Sequence, residues 1–322
     1  MRTVFRFTPA AAVLSMSLNV ALIPVSSAEV SLTSGDHRID VAIDGVRVTS
    51  YLYRPDITKP VLYPLTTPSE IIITRGFPFE TVEGETQDHP HHTGLFFTVD
   101  EVNGNKFWGN TKGLPRIIHA ETLAMTGGKT GVLSVRMNWV GGDSVPLLEE
   151  HRAMEFLPGA NEYAIDFSIR LKALADTVVF GDTKEGMFAI RTADWLRENG
   201  GTGQYLASNG GATAADIWGR RSLWVRLEGS RDGRTAGAAI LHHPASVNHP
   251  TFWHARDYGL FSANPLGQSV FEAGTGVKDP KPFRLTLAKG EEALFRFLVI
   301  VYDGSKTAEE MQRAFDGYAR KK

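Results

Sequence analysis

The sequence contains no cysteine among its 322 residues. This absence excludes disulfides, a thiol nucleophile, a thiolate metal site and a lipid anchor attached to cysteine. The fold must therefore be stabilised by its core alone, and a chain of this length can bury a sizeable core.

An excess of charge of either sign is also absent. Lysine and arginine together number 34 against 36 acidic residues, so the formal net charge is −2. A near-neutral balance gives no indication of electrostatic capture of nucleic acid or of an anionic membrane, and we predict no nucleic-acid partner.

Several motifs that identify common enzyme classes are missing. The sequence has no G-x-S-x-G nucleophile elbow, no P-loop, no Rossmann fingerprint and no H-E-x-x-H helix. It therefore gives no support for a serine hydrolase, a nucleotide- or nicotinamide-dependent enzyme, or a helical zinc protease.

Long apolar runs are confined to the N-terminus. Arg2 and Arg6 precede an apolar stretch from about Ala10 to Val25, and small residues end at Ala28. This pattern predicts a secretory signal peptide over residues 1–28, and hence a periplasmic or secreted protein. The alternative is an N-terminal membrane anchor, but the run is short and is interrupted by Ser and Asn. After cleavage we predict no membrane span.

Alternation of apolar and polar residues dominates the rest of the chain. The segment 163–172 alternates strictly, and similar patterns occur at 36–44, 46–53, 131–140, 222–229, 283–290 and 293–304. A period of two predicts half-buried strands, and paired Gly, Asn and Asp residues between them predict tight turns.

Helix signals are scarce and are clearest near the C-terminus. Thr307 and Glu310 have the spacing of a capping box, which predicts a short helix there. No linker and no repeat divides the chain, and the Gly-rich segment 199–211 is expected to be a surface loop. We therefore predict an all-β fold, a large antiparallel β-sandwich forming one domain over residues 29–322.

The first candidate motif is QDHPHHTGLFF at 87–97. Histidine suits proton transfer near neutral pH and is the commonest metal ligand. If the segment is extended, His89 and His91 share a face while His92 points away. Pro90 cannot donate to a sheet and predicts an edge or a strand entrance. The alternative is a polar turn, but three histidines beside Asp88 favour function.

Two further motifs contain polar residues beside predicted strands. In FGDTKEGMFAIRTADWL, 180–196, a carboxylate could act as acid or base and Lys184 could hold a ligand, or the segment could be a solvated turn. In 241–267, Trp253 and Tyr258 lie among polar residues. Sugar-binding sites have this composition, because an aromatic ring stacks on the sugar while Arg or Asp binds its hydroxyl groups. The alternative is that the aromatic residues belong to the core and the histidines lie on a surface loop.

In order along the chain, the segments DHPHHTGLFF, VNGNKFWGN, FGDTKEGMFAIR and HPTFWHARDYGLFSANPLG resemble a bacterial family of exported proteins labelled "PmoA family". The label names a methane monooxygenase subunit, an integral membrane protein, and the lack of spanning segments argues against that activity. The resemblance implies a galactose-mutarotase-like supersandwich and an association with carbohydrate use. The matching positions are Asp88, His89, His91, His92, Asp182, Lys184, Glu185, His254, Arg256 and Asp257.

The favoured hypothesis is a carbohydrate-active hydrolase, lyase or epimerase acting on a small-molecule or oligosaccharide substrate. The predicted catalytic residues are His89, His91, Glu185, His254 and Asp257. The predicted substrate-binding residues are Arg75, Asp88, His92, Asp182, Lys184, Trp253 and Arg256. We assign no cofactor and no metal site. The alternatives are a zinc or copper protein with ligands His89, His91 and His254, and a non-catalytic glycan-binding module.

Overall fold

The structure is a computed structural model that describes residues 28–321. Residues 1–27 of the predicted signal peptide lie outside the described residues. Within the described range, no helix is both long and apolar enough to cross a membrane.

Strands make up most of the described chain. The first eleven are β1 (Val30–Gly35), β2 (Arg38–Ile43), β3 (Val46–Leu52), β4 (Val61–Leu62), β5 (Leu95–Val99), β6 (Glu101–Val102), β7 (Asn105–Lys106), β8 (Arg116–Thr126), β9 (Gly131–Val140), β10 (Pro146–Pro158) and β11 (Glu162–Ala173). The remaining ten are β12 (Thr177–Val179), β13 (Gly186–Arg191), β14 (Gln204–Ala207), β15 (Arg221–Ser222), β16 (Trp224–Arg231), β17 (Arg234–His242), β18 (Thr251–Arg256), β19 (Leu260–Asn264), β20 (Thr286–Ala288) and β21 (Glu292–Asp303).

Two large antiparallel sheets form a sandwich. One has nine strands in the order β1-β2-β3-β4-β5-β13-β19-β18-β15, and the other has eight in the order β14-β16-β17-β21-β11-β10-β9-β8. Aromatic side chains join their inner faces: Phe188 of the nine-stranded sheet stacks on Phe297 of the eight-stranded sheet, with ring centroids 4.2 Å apart. The predicted all-β class and large antiparallel supersandwich are confirmed.

The outer faces of the two sheets differ. In the eight-stranded sheet, β9 and β11 alternate between buried and partly exposed residues, as their sequences predict. In the nine-stranded sheet, β5, β13 and β19 are buried on both faces. Phe97 points into the main core while its neighbour Phe96 joins a separate outer cluster with Trp108 and Ala189. Loops therefore cover this outer face, and they create the space for a site.

Helices are short and peripheral. They are a 3-10 turn (Asp194–Leu196), α1 (Ala214–Ile217), α2 (Gln268–Gly274) and α3 (Ala308–Ala319). The predicted C-terminal helix is confirmed with its capping box, in which Thr307 accepts from the Glu310 amide and Glu310 accepts from the Thr307 amide. Apolar residues of α3 pack beside Trp224 of the eight-stranded sheet.

One predicted loop contains a strand. The segment 199–211 includes β14, which pairs with β16 at the edge of the eight-stranded sheet. The prediction of a surface loop was wrong for residues 204–207, because Tyr205 is buried and its hydroxyl donates to the backbone oxygens of Arg256 and Leu260. Burial of one aromatic side chain outweighs the Gly-rich composition around it.

Candidate functional site

A pocket of about 380 Å³ lies on the outer face of the nine-stranded sheet. Its walls come from all three sequence motifs and from two further segments. The lining residues are His89, His91, His92, Asp100, Trp108, Gly109, Lys184, Glu185, His254, Arg256 and Tyr258. Seven of these were predicted as site residues, so residues far apart in the chain converge on one cleft.

The histidine motif forms a turn instead of an extended strand entrance. The His92 amide donates to the His89 backbone oxygen at 2.9 Å, and His89 has a positive φ of 41°. The predicted separation of His92 from the other two was therefore wrong. The ring of His92 stacks on that of His89 at 4.9 Å and meets that of His91 at 4.2 Å. Because a turn brings residues i and i+3 together, all three rings face one place.

Two buried arginines hold this turn through Asp88. The Asp88 carboxylate contacts the guanidinium of Arg75 and accepts from Arg191 at 2.6 Å, and neither arginine side chain is exposed. Arg75 also donates to the backbone oxygens of His89 and His92. Burial would raise the pKa of Asp88, but Arg191, His89 and Arg75 outweigh it and keep that pKa below its ordinary value. Asp88 and Arg75 thus support the pocket from behind it.

Neutral histidines form one wall of the pocket. Burial, with a smaller effect from Lys59, lowers the pKa of His91 to about 4. Burial also lowers the pKa of His92 well below its ordinary value. Both ring nitrogens of His92 and the indole nitrogen of Trp108 are buried without a hydrogen-bond partner. Unpaired buried polar atoms are rare, and their position beside the pocket makes them available to a bound ligand or water.

Glu185 supplies an ionised carboxylate to the opposite wall. Its side chain contacts the Lys184 ammonium. Burial alone would raise the pKa of Glu185, but the cations of Lys184 and Arg256 and the nearby His254 lower it below the ordinary value. Glu185 is therefore suited to accept a proton.

Asp100 is a second carboxyl group in the pocket. It directly follows β5, and its amide donates to the Glu185 backbone oxygen at 2.8 Å across the β5–β13 pair. Burial raises the pKa of Asp100, and Glu185 raises it further against the effect of Lys106. The sheet register thus brings together two carboxyl groups whose pKa values move in opposite directions.

His254 is fixed by hydrogen bonds at both ring nitrogens. Nδ1 lies 2.8 Å from the Lys184 backbone oxygen, and Nε2 lies 2.9 Å from the Nε of Arg256. A carbonyl oxygen only accepts and a guanidinium only donates, so His254 is a neutral ring protonated at Nδ1. Burial lowers its pKa to about 4. This geometry favours a role for His254 in positioning Arg256.

Besides Arg75 and Asp88, which support the pocket from behind, three predicted site residues lie outside it. Asp257 is exposed in the β18–β19 turn and lines an adjoining depression that includes Arg256. Asp182 accepts from the amides of Ser269 and Phe283, which ties α2 to the following loop. Trp253 is fully buried in the main core and donates to the Ser222 oxygen. Along β18, Trp253 faces inward and His254 faces outward.

Five residues of the site were not among the predicted catalytic and substrate-binding residues. Asp100, Trp108, Gly109 and Tyr258 line the pocket, and Arg191 holds Asp88. A lone Asp after a strand has no distinctive local pattern, and Trp108 reads equally well as a core residue. Arg191 did carry a signal, because a charged residue ending an apolar strand such as GMFAIR needs a buried partner.

The metal-site alternative gains no support from the geometry. Among residues 28–321, no group of three or more His, Asp or Glu side chains is arranged to hold a metal ion. The proposed ligand His254 uses both of its ring nitrogens in protein hydrogen bonds.

Comparison with known proteins places most of the chain in one family. Residues 38–316 match the model described as "Family of unknown function (DUF6807)". None of the curated protein sequences matches the chain.

Several solved structures resemble the fold at low identity. A GH36 α-galactosidase from Geobacillus stearothermophilus is 10% identical, with a TM-score of 0.40 over 84% of this chain and 41% of that one. The α-galactosidase from Lactobacillus brevis is 10% identical, with a TM-score of 0.41 over 89% and 41%. A putative aldose 1-epimerase from Klebsiella pneumoniae is 11% identical, with a TM-score of 0.35 over 91% and 87%. The chain thus spans about two fifths of the α-galactosidases that it matches.

Proposed function

We propose that this protein, which belongs to the DUF6807 family of unknown function, is a carbohydrate-active enzyme that uses general acid–base catalysis. The observation that carries the proposal is the pair of carboxyl groups in the pocket, Glu185 and Asp100. Their surroundings shift the two pKa values in opposite directions. Such divergence is how enzymes assign one carboxyl group as base and another as acid.

The walls of the pocket suit a saccharide. Tyr258 and Trp108 line the pocket with aromatic carbon, which can contact the apolar C–H groups of a sugar ring. Lys184, Arg256 and the free nitrogens of His92 offer hydrogen bonds to hydroxyl groups. A volume of about 380 Å³ accommodates one sugar ring and its substituents.

The two carboxyl groups have complementary roles in this proposal. Glu185 takes a proton from a water molecule, a hydroxyl group or a C–H group of the bound sugar. Asp100 gives a proton to the sugar oxygen whose bond breaks or whose ring opens. Hydrolysis, elimination and epimerisation all need this pair of transfers, and the neutral His91 and His92 orient the substrate by hydrogen bonding.

We also propose that the protein acts in the periplasm or outside the cell. Support comes from the N-terminal pattern over residues 1–28 and from the resemblance of the three motifs to an exported family. Cell fractionation and N-terminal sequencing of the mature protein test this proposal, and a cytoplasmic, uncleaved chain would contradict it.

The enzymatic proposal is tested by incubating the protein with a panel of sugars and glycosides and following the products by NMR. We expect Glu185→Gln and Asp100→Asn each to lower kcat by about 10²- to 10⁴-fold on the substrate found. Glu292→Gln is the matched control, because Glu292 lies on β21, in the other sheet, and does not line the pocket. Saturable binding without chemical change across the panel would instead identify a glycan-binding module.

A further inference from the structure

A second, smaller pocket adjoins the site. It has a volume of about 220 Å³, and His91 lines both pockets. Its walls combine apolar residues, among them Ile57 and Phe79, with polar and charged ones that include Lys59 and the ion-paired Arg54 and Asp56. His91 is therefore a wall that the two spaces share, and a ligand longer than one sugar ring would have to pass this side chain to occupy both.

Lys59 is a buried cation in the loop between β3 and β4. Only 3% of the residue is exposed. Its ammonium donates to the His91 backbone oxygen at 2.9 Å and lies 5.1 Å from the centre of the Phe96 ring. One carbonyl bond leaves two of its three donors free.

No carboxylate neutralises Lys59 within the described part of the chain. By contrast, other buried cations have a carboxylate partner: Arg75 and Arg191 contact Asp88, and Arg152 contacts Glu150. Arg54, at the edge of the small pocket, is held by Asp56 at 2.9 and 3.0 Å. Lys59 is therefore the cation of this pocket that has free donors and lacks a charged partner, and a buried charge without one is costly.

We propose that Lys59 forms a second subsite that binds an anionic group of the saccharide held in the main pocket, a carboxylate or a sulfate ester. The inference rests on the proposed function, and it narrows the substrate class to acidic saccharides. An incoming anion would supply the missing partner of Lys59. The apolar walls would contact the C–H groups of the ring that carries it.

The protonation of Lys59 agrees with this assignment. Burial lowers the pKa of Lys59 to about 7, so both the ammonium and the neutral amine are populated near neutral pH. An anion favours the charged form and raises the pKa, so binding near pH 7 should be accompanied by proton uptake. His91, with a pKa of about 4, stays neutral there and does not contribute.

The test compares acidic sugars with their neutral parents by isothermal titration calorimetry. A disaccharide of glucuronate and glucose, compared with cellobiose, forms one matched pair, and lactose 3′-sulfate and lactose form another, so that each ligand has a second ring long enough to reach the Lys59 pocket. In the wild type we expect the acidic member of one pair to bind about tenfold or more tightly, with proton uptake measured in two buffers of different ionisation enthalpy. In Lys59→Met the ratio of the two affinities should approach one and the proton uptake should vanish.

Control variants keep the outcomes distinct. Methionine has a similar length and removes a buried charge, so Lys59→Met should fold, and its melting temperature checks this. Lys289→Met removes an exposed lysine after β20 and should keep the wild-type ratio. Equal affinity for acidic and neutral sugars, or a ratio unchanged in Lys59→Met, overturns the Lys59 subsite while leaving the proposed function intact. Failure of every sugar to bind overturns both.

Discussion

Two carboxyl groups in one pocket behave differently because their neighbours differ. At Glu185 the cations of Lys184 and Arg256 outweigh the effect of burial, whereas at Asp100 burial dominates and raises the pKa, with a smaller contribution from Glu185. The first environment stabilises the carboxylate and the second stabilises the neutral acid. The chemistry of this site is therefore set by the balance of burial and neighbouring charge at each residue, since the two side chains share the same functional group.

This difference predicts the pH dependence of kcat/KM. Glu185 must be ionised to act as base, so activity should fall as pH drops through its lowered pKa. Asp100 must be protonated to act as acid, so activity should fall as pH rises through its raised pKa. We expect a bell-shaped profile with its maximum on the acidic side of neutrality, whose apparent pKa values belong to the pair.

Asp100→Asn provides the decisive variant for this profile. Asparagine cannot titrate, so the residual activity of the variant should lose the descending limb at higher pH and keep the ascending one. Initial rates at low substrate concentration over a range of pH measure both limbs. A descending limb unchanged in Asp100→Asn would remove Asp100 from the role of acid.

At the scale of a single element, the turn that carries the histidines depends on Asp88. Arg75 and Arg191 are fully buried, and both contact this one carboxylate. The turn 89–92 is then fixed by the bonds from Arg75 to its backbone oxygens. Although Asp88 is partly exposed, it organises the wall of the pocket from behind.

We predict that Asp88→Asn lowers the free energy of unfolding by about 3 kcal/mol, since it leaves two buried guanidinium groups without their counter-charge. Because the pKa of Asp88 is lowered in the folded state, its contribution is present above its unfolded pKa and is lost as pH falls through the folded one. Urea unfolding at neutral and acidic pH measures this. The difference between wild type and variant should shrink on acidification, and a constant difference would contradict the assignment.

At the scale of the whole molecule, a buried ion pair on one sheet contacts an aromatic ring of the other. Glu150 on β10 is fully buried, accepts from the Trp139 indole at 2.8 Å and pairs with Arg152 at 2.7 Å. Arg152 in turn lies 5.7 Å from the ring of Phe97 in the opposite sheet. The two sheets thus meet in the core at a cation–π contact between Arg152 and Phe97.

Glu150→Ala should destabilise the protein by about 3–5 kcal/mol, because it leaves a buried guanidinium without a partner. The double variant Glu150→Leu with Arg152→Met replaces the pair with apolar groups of similar size and should recover much of that loss. Denaturant midpoints at an unchanged m-value measure both effects. A double variant less stable than the single one would show that the pair itself is net stabilising.

Local patterns in the sequence predicted much of the fold. Alternation identified β9 and β11, and the spacing of Thr307 and Glu310 identified the capped helix. Both signals depend only on neighbouring residues, so a single sequence contains them. The turn at His89 was misread, because the same residues read as extended or as a turn until the buried contacts of Asp88 are known.

The residues that form the site were harder to predict from the sequence than the strands were. Lys184, Glu185 and the histidines stood out because polar residues cluster around them. Asp100 did not, since it reaches Glu185 only through the pairing of β5 with β13, two strands separated by more than eighty residues. Register between distant strands is a property of the assembled sheet and has no local signature.

The dependence of the pocket on several distant strands has a practical consequence. Because its walls come from β5, β13 and β18 together, a ligand that fits the pocket binds only the fully folded chain. Such a ligand stabilises the native state by about 2.7 kcal/mol at a free concentration of one hundred times Kd. Thermal melting across a collection of sugars can therefore rank candidate substrates before any reaction has been observed.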